Sequence, residues 1–540
     1  LKTVTTPAGT TTTNYDKAGQ KIEVVDANGI KTSYSYDAVG RVLTRSVDPT
    51  GLNLQTRTFY DAKGQSVWQQ DANGIWTQTL YDLKGQVSSV IVDPLSIPDA
   101  TSSQTTVVLV SNTSGLNLRT DYTYNATGKV VTLVEGVGSS RTQTTQYTYD
   151  NLGRLTQELV NPLGLKLKTQ YSYDANDNLI AKTDALGYVT RFVYDDKNQQ
   201  IYSVDATGAV VKFDYDVLGR VVQTTAYATA ISLTSPSILG TVISASDITA
   251  RLTLSAADRV NRSVYDRDGQ VRFRIDANNV VTGLKYDAAG NLIQTTRYAT
   301  AITLPGSLSV SSITTALVAN VNDQVERTVY DAANRATFSI DAAGFVTQSV
   351  YDNVGHVIKN VRYATALVGT LADNVAPQVV ATAPGSGAYV LTNASKDRLT
   401  RTVFDAAGRP RFDVDAEGYV TEHRYDAVGH ELKRIQYSSK YTVADGATLA
   451  SVIALLPATP GATEPVEQRI YDNAGRLSKV IDAEGSVTLH TYDASGNETD
   501  TVYAYGTSDA STTHRVFDGA GRLLEETVGY VAGTTEGSTS

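Results

Sequence analysis

Short runs of β-branched and aromatic residues alternate with polar turn clusters along the whole chain. The runs are six to eight residues long and rich in Val, Thr, Tyr and Ile. Such lengths and residue types are typical of β-strands. Two kinds of turn cluster alternate, so that each pair of strands reads as a hairpin. The pattern predicts an all-β fold in which antiparallel hairpin repeats form one long sheet.

The first turn cluster is Tyr-Asp-x-x-Gly, which recurs throughout the chain, and neighbouring copies such as those at Tyr15 and Tyr36 are often 21 residues apart. A period of this size indicates an array of one small unit. Its last position is Gly in most copies and Asp177, Asn198 or Asn334 in others. These residue types tolerate positive φ, and a type I turn favours Asp or Asn at its first position. The restriction indicates turn geometry, not ligand chemistry.

The copies nearest to a common pattern supply the predicted structural turn residues. They are Asp37, Gly40, Asp150, Gly153, Asp216, Gly219, Asp472 and Gly475.

The second turn cluster lies between copies of the first. Examples are Asp26-Ala27-Asn28-Gly29, Asp71-Ala72-Asn73-Gly74 and Asp205-Ala206-Thr207-Gly208.

Before the first turn, aromatic residues often stand two apart, as at Tyr34 and Tyr36 or Tyr171 and Tyr173. At this period they share a face of the sheet, so stacked copies predict cross-strand aromatic ladders. Sugar binding on an exposed face is the alternative role for these tyrosines.

The spacing of the repeats divides the chain into three parts. Residues 1–220 hold tightly spaced repeats, residues 221–530 hold repeat pairs separated by insertions, and residues 531–540 form a Gly/Ser/Thr-rich end. The super-repeat of the second part is 65–75 residues long. Its insertions begin at Tyr227, Tyr298, Tyr363 and Tyr437, the first three with Tyr-Ala-Thr-Ala.

Two insertions carry helical spacing. Leu449, Val452, Ile453 and Leu456 follow Asp445 or Thr448 as a cap and precede Pro457, and Val310, Ile313, Leu317 and Val321 follow Ser309. This spacing predicts short amphipathic helices that cover one face or edge of the sheet, with partner binding as the alternative. The insertions around Ile248–Leu254 and Val375–Ala383 give no clear prediction.

Composition limits the classes of partner. The net charge of −10 argues against nucleic acid or an anionic membrane surface, and no apolar stretch approaches the length of a membrane span. The absence of Cys excludes disulfides and thiolate chemistry, and the lack of both Cys and Met suits an oxidising exterior. We expect the chain to be an excerpt of a longer protein.

The sequence offers no catalytic, cofactor or metal site. His356 and His430 follow the turn glycine, where other copies place Arg, Gln, Asn or Lys, and are expected to be solvated substitutes. His423 and His490 occupy equivalent strand positions, which favours a structural role. Calcium binding by turn aspartates is a minor alternative, although the dense acidic spacing of calcium loops is missing.

The motif Tyr-Asp-x-x-Gly-Arg resembles the YD-repeat, or RHS-repeat, family. It is nearest to the family pattern at Tyr36–Arg41, Tyr149–Arg154, Tyr215–Arg220 and Tyr471–Arg476. The resemblance, which covers nearly the whole chain, implies a sheet that spirals into a hollow shell, tube or superhelix. Relatives include bacterial RHS toxins, cocoon subunits of insecticidal toxin complexes and teneurins, and in bacterial members the shell typically encloses a C-terminal toxin.

One motif of the toxin-bearing members stands in an unexpected place. Those members end their shell with Asp-Pro-x-Gly-Leu at a self-cleavage site, whereas Asp48-Pro49-Thr50-Gly51-Leu52 lies near the start of this chain at an ordinary second-turn position. We interpret it as a turn, with self-cleavage there as the alternative.

We therefore expect a non-enzymatic scaffold of a secreted or cell-surface bacterial protein that encloses or presents a toxin. Its expected partners are an encapsulated toxin domain or neighbouring subunits. The alternative is an adhesin or extracellular fibre that binds glycans or partner proteins.

Overall fold

The computed structural model describes residues 2–6, 9–26, 29–99, 102–103, 107–139, 142–233, 242–461 and 464–530. Two predicted features fall on the remaining residues: the centre of the turn at Ala27-Asn28, and the Gly/Ser/Thr-rich end at 531–540. Both lie outside the described residues.

The first thirteen strands are β1 (Lys2–Thr6), β2 (Gly9–Tyr15), β3 (Lys21–Val25), β4 (Lys31–Tyr36), β5 (Val42–Val47), β6 (Leu54–Tyr60), β7 (Ser66–Gln70), β8 (Trp76–Tyr81), β9 (Val87–Val92), β10 (Ser96–Pro98), β11 (Leu109–Ser111), β12 (Leu118–Tyr124) and β13 (Val130–Glu135). The next elements are β14 (Gln143–Tyr149), β15 (Leu155–Val160), β16 (Leu167–Tyr173), β17 (Leu179–Thr183), β18 (Val189–Tyr194), β19 (Gln200–Val204), β20 (Val210–Tyr215), β21 (Val221–Ala226), α1 (Ala245–Thr249), β22 (Arg259–Tyr265), β23 (Val271–Ile275), β24 (Val281–Tyr286), β25 (Leu292–Arg297) and α2 (Val310–Ala316). The last are β26 (Gln324–Tyr330), β27 (Ala336–Ile340), β28 (Phe345–Tyr351), β29 (Val357–Ala366), β30 (Gln378–Val380), β31 (Tyr389–Leu391), β32 (Arg398–Phe404), β33 (Pro410–Val414), β34 (Tyr419–Tyr425), β35 (Glu431–Lys440), α3 (Leu449–Leu455), β36 (Val466–Tyr471), β37 (Leu477–Ile481), β38 (Val487–Tyr492), β39 (Glu498–Tyr503), β40 (Ser511–Phe517) and β41 (Leu523–Val528).

Within the described residues, 37 of these strands form a single sheet. Consecutive strands pair antiparallel through hairpins, for example β14 with β15 and β15 with β16. Two small pairs stand apart from it: β10 with β11, which is antiparallel, and β30 with β31, which is parallel. The predicted all-β fold of antiparallel hairpin repeats in one long sheet, with short helical insertions in the C-terminal half, is confirmed.

Contacts between residues divide the chain into two compact units, each of which is described by itself. Unit 1 is Leu1–Leu118, Ser263–Glu422 and Gln436–Thr463, and unit 2 is Arg119–Arg262, His423–Ile435 and Glu464–Ser540. The division into residues 1–220, 221–530 and 531–540 follows the spacing of repeats in the sequence and not the contacts between residues, and it stays a prediction.

Within each unit, the second turn of an early hairpin touches the Tyr-Asp turn of a much later one. In unit 1, the Asn73 side-chain amide donates to Oδ2 of Asp352 at 3.0 Å, and the Asn353 side-chain amide donates to the carbonyl of Ala72 at 3.3 Å. In unit 2, the Arg522 guanidinium donates to the hydroxyl of Thr207. Each unit's sheet therefore bends back until opposite turn edges meet.

The insertions cover the sheet with short elements that each bury few residues. The helix α2 follows its cap Ser309 and buries Ile313 completely, against a cluster that includes Phe273 and Ile275. It ends at Ala316, so the apolar spacing runs past the helix, and Val321 is fully exposed.

The other insertions vary this arrangement. The helix α3 follows its cap Thr448 and buries Val452, and α1 buries Ile248. The insertion around Val375–Ala383 contains β30, which pairs in parallel with β31.

Candidate functional site

The Tyr-Asp turn is the element that repeats most closely, and the turn at Asp37 shows its construction. The N–H of Gly40 donates to the carbonyl of Asp37 at 3.1 Å, and Gly40 has φ of +89°. The carboxylate oxygen Oδ1 of Asp37 accepts from the N–H groups of Val39 and Arg41 at 3.0 and 2.9 Å. The pairing then shifts register between Ser35 and Tyr36. This is a type I turn closed by a left-handed residue with a bulge.

The four pairs of turn residues identified from the sequence share this geometry. From the glycine N–H to the aspartate carbonyl, the distances are 3.1 Å for Gly40–Asp37 and 3.0 Å for Gly153–Asp150, Gly219–Asp216 and Gly475–Asp472. All four glycines lie in the left-handed region, with φ between +80° and +89°.

An arginine completes each of these four turns. Its Nε donates to Oδ2 of the turn aspartate at 2.6 Å for Arg41, 2.8 Å for Arg154, 2.7 Å for Arg220 and 2.8 Å for Arg476. The backbone N–H of Arg154 and then its guanidinium bond to Asp150, and these bonds hold the pKa of the Asp150 carboxyl below its usual value. The backbone bond from Arg220 lowers the pKa of Asp216 in the same way, against partial desolvation.

The signature tyrosine joins one hairpin to the hairpin before it. Its hydroxyl donates to the carbonyl two residues after the left-handed residue of the preceding Tyr-Asp turn, as from Tyr60 to Val42 at 2.9 Å and from Tyr173 to Leu155 at 2.9 Å. At least twelve copies in the described chain make this bond: Tyr36, Tyr60, Tyr81, Tyr149, Tyr173, Tyr194, Tyr215, Tyr286, Tyr330, Tyr351, Tyr471 and Tyr492. The tyrosine is therefore a link between repeats.

The residue after the turn glycine makes a second link between repeats. The guanidinium of Arg41 lies 4.6 Å above the ring of Tyr60, and that of Arg154 lies 4.9 Å above Tyr173. Arg154 also donates to the carbonyl of Asp174 in the next turn at 2.8 Å. The same contact recurs where Arg335 lies 4.9 Å above Tyr351 and Arg476 lies 4.8 Å above Tyr492. The predicted aromatic ladder stays a prediction.

The same position explains two histidines that the sequence presented as solvated substitutes. His356 stacks on Phe404 at 4.4 Å, and His430 stacks on Tyr471 at 4.6 Å. Nδ1 of His356 lies 2.8 Å from Oδ2 of Asp352, and Nδ1 of His430 lies 3.0 Å from Oδ2 of Asp426. The two rings take the sequence position that arginine occupies in other repeats, and with side chains 32% and 21% exposed they are only partly solvated.

Three of the four insertions are closed by an aspartate that the sequence reasoning missed. The N–H of Ala228 donates to Asp258, that of Ala299 to Asp323 and that of Ala364 to Asp397, each at 2.8 Å. Each of these aspartates stands immediately before the strand that resumes the sheet. Their recurrence before β22, β26 and β32 was visible in the sequence and could have identified them.

The segment Asp48–Leu52 forms the turn between β5 and β6. Asp48 has φ of +48°, its carbonyl accepts from Gly51 at 3.0 Å, and its Oδ2 accepts from the N–H of Leu52 at 2.9 Å. The Asp48 side chain is therefore engaged within its own turn.

A cleft of about 590 Å³ in unit 1 combines apolar walls with charged groups. Lys359 on β29 and Arg401 on β32 are cross-strand neighbours in its wall. Asp445, on the loop before α3, contacts Lys359 at 2.6 Å and Arg401 at 2.7 Å. The bond from Lys359 is the main cause of the lowered pKa of Asp445; desolvation opposes this shift, and the bond from Arg401 adds to it.

Acidic and histidine side chains are dispersed along the sheet. Among the described residues, no group of three or more His, Asp or Glu side chains is arranged to hold a metal ion. In the same part of the chain, none of the helices has the length and apolar character needed to cross a membrane.

Comparison with known families bears directly on the turn motif. A model of the RHS repeat matches residues 15–52 and 471–508, and a model of the teneurin YD-shell matches residues 103–226. The resemblance to the YD-repeat family is confirmed. A comparison with curated protein sequences finds no match.

A solved structure shares the fold of these YD repeats. The crystal structure of TcdB2-TccC3 without its hypervariable C-terminal region is similar over 96% of this chain and 32% of that one, with a TM-score of 0.51 and 13% identity. The Tc holotoxin pore of Photorhabdus luminescens is matched over 96% of this chain and 25% of its own, with a TM-score of 0.37 and 12% identity. The chain thus spans about a third or less of the length of these solved chains.

Proposed function

We propose that this chain is a structural scaffold, the YD-repeat wall of a larger secreted or cell-surface bacterial protein that encloses or presents a toxin domain. The observation that carries the proposal is the link from each signature tyrosine to the preceding hairpin, which recurs in at least twelve copies. A bond that repeats with the period of the chain stabilises a continuous wall. A binding site for one ligand would instead need residues that differ from repeat to repeat.

The similarity of fold to TcdB2-TccC3 supports the same function. The crystallised form of TcdB2-TccC3 lacks a hypervariable C-terminal region. We propose that the present chain likewise forms a wall to which a variable domain is joined or beside which neighbouring subunits assemble. It would act through shape and stability, with no reaction of its own.

Small-angle scattering of the purified chain tests the scaffold proposal. A solid domain of 540 residues would have a radius of gyration of about 24 Å by the scaling for compact proteins. A curved wall around a cavity requires a clearly larger radius and a scattering profile with a depleted centre. A radius close to the compact value would contradict the proposal.

Two further measurements address the alternatives. The mass of the purified chain after incubation tests cleavage beside Asp48. An intact chain is expected because the Asp48 carboxylate is held within a turn.

A glycan array tests the adhesin alternative. We expect no binding through the signature tyrosines, since at least twelve of their hydroxyl groups are bonded to backbone carbonyls.

A further inference from the structure

The cleft around Lys359 and Arg401 differs in chemistry from the repeating links. Its volume of about 590 Å³ lies within the range of small-molecule sites, about 300–1,000 Å³. Ile358, Val403, Phe404 and Leu449 are apolar residues of its lining. An apolar lining with a few convergent charged groups is the usual composition of a ligand site.

The two cations of the cleft share one carboxylate that belongs to a surface loop. The side chains of Lys359 and Arg401 are only 23% and 22% exposed, whereas that of Asp445 is 58% exposed. Arg401 donates to Oδ1 of Asp445 through both Nε and a terminal nitrogen, at 3.0 and 2.7 Å, and Lys359 donates to Oδ2. Asp445 thus occupies the place that the carboxylate of a ligand would take.

The other acidic groups of the lining are held elsewhere. Asp352 accepts from the N–H and the ring of His356 and from Asn73. Asp405 accepts from the N–H and the guanidinium of Arg409. Both are turn aspartates bound in the same way as Asp37, so the exchangeable carboxylate is that of Asp445.

We propose that this cleft binds a small amphipathic carboxylate, whose anionic group replaces Asp445 on Lys359 and Arg401 and whose apolar body lies against Ile358, Val403 and Phe404. Asp445 acts as an internal competitor that keeps the two cations paired when no ligand is present. Carboxylate recognition by a guanidinium through paired hydrogen bonds supplies the orientation of the ligand.

Calorimetric titration of the full chain with octanoate tests this site, with the uncharged octanamide as the matched probe. Octanoate should bind more tightly than octanamide. Arg401→Gln and Lys359→Gln should each weaken octanoate binding by about tenfold, as expected for the loss of a charge-assisted hydrogen bond. Asp445→Asn should instead strengthen it, because the competing charge is removed.

A matched control lies on the same strand as Lys359. Arg362 on β29 contacts Asp341 at 3.1 Å, outside the cleft, and Arg362→Gln should leave octanoate binding unchanged. Circular dichroism of every variant separates loss of the site from loss of the fold. If the unmodified chain binds only weakly, the test uses Asp445→Asn. Octanoate binding by Asp445→Asn that is lost in the double variant with Arg401→Gln supports the site. Equal binding by all variants, or no binding by the unmodified chain and Asp445→Asn alike, overturns it.

Discussion

Two stretches of the sheet, residues 142–183 in unit 2 and residues 271–316 in unit 1, are built from the same turns but bury different amounts of apolar surface. In the first, Thr145 and Ala181 are the residues that are buried. In the second, Ile275, Val281 and Ile313 are at most 1% exposed. The tyrosine link is present in both, at Tyr173 and Tyr286. The repeat therefore folds with or without an apolar core, and the insertions add that core.

The difference shows which interactions define the fold and which add to its stability. The hydrogen bonds of the turns and of the signature tyrosines recur both in plain hairpins, which have no insertion over them, and in hairpins covered by an insertion. These bonds therefore set the hairpin geometry. Apolar burial is concentrated where an insertion lies over the sheet, as where Ile313 packs against Phe273 and Ile275. The stability of plain hairpins should consequently depend more on the turn and tyrosine hydrogen bonds. The stability of hairpins covered by an insertion should depend more on apolar packing.

Removing a buried side chain from an insertion should have the largest effect. Ile313→Ala should destabilise the surrounding hairpins by about 2–5 kcal/mol, since it removes buried methyl groups and leaves a cavity. Hydrogen exchange of residues 271–316 measures the loss locally. Val321→Ala is the control, because Val321 follows the same helix and is fully exposed, and its effect should stay within about 0.5 kcal/mol. Similar exchange in both variants would show that the helix adds no core.

A change at the turn should come next in size. Gly219→Val should destabilise its hairpin by about 1–3 kcal/mol, because a β-branched side chain is strained at φ of +80°. Gly219→Asn should cost less, since Asn198 and Asn334 occupy the same turn position at φ of +60°. Thermal unfolding compares the two variants. Gly306→Val is the control because Gly306 has open space around it and no positive φ. Equal costs for Val and Asn at position 219 would contradict the turn geometry.

The local elements could be predicted from the sequence because each is specified by adjacent residues. The restriction of one position to Gly, Asn and Asp reports positive φ directly, and Ser309 with Ile313 reports the start and the buried face of α2. The links between hairpins could not be predicted in the same way. They depend on which carbonyl the Tyr173 hydroxyl reaches and on Arg154 lying over the ring of Tyr173. The twist of the hairpins and the bulge at the turn determine both contacts.

The cleft around Lys359 and Arg401 was still harder to predict from the sequence. Lys359, Arg401 and Asp445 lie on two strands and a loop that are far apart in the chain, and no spacing relates them. The sequence indicated Asp445 only as a possible helix cap, whereas Thr448 caps α3. Its contacts with the two cations follow from the path of the insertion across the sheet.

Loss of a single tyrosine link should have a smaller effect than a buried cavity. Tyr173→Phe removes the bond to the carbonyl of Leu155 while it keeps the ring beneath Arg154, and should cost about 1–3 kcal/mol because a partly buried carbonyl loses its partner. Tyr505→Phe is the control, since Tyr505 is 52% exposed. Hydrogen exchange should rise in residues 142–183 for the first variant and remain unchanged for the second. No change in either would mean that the tyrosine link adds nothing to the plain hairpins.

Alkaline pH should weaken the same links through small contributions from many residues. Burial raises the pKa of Tyr149 and Tyr194 above the ordinary value of 10.0. The folded state therefore favours the neutral hydroxyl, and its stabilisation is complete below pH 10 and is lost as the pH rises through the folded-state pKa. Because residues 142–183 lack a large apolar core, their hydrogen exchange should accelerate at lower pH than that of residues 271–316, after correction for the intrinsic rate. Simultaneous loss of protection in both stretches would show that packing and tyrosine links stabilise the two regions equally.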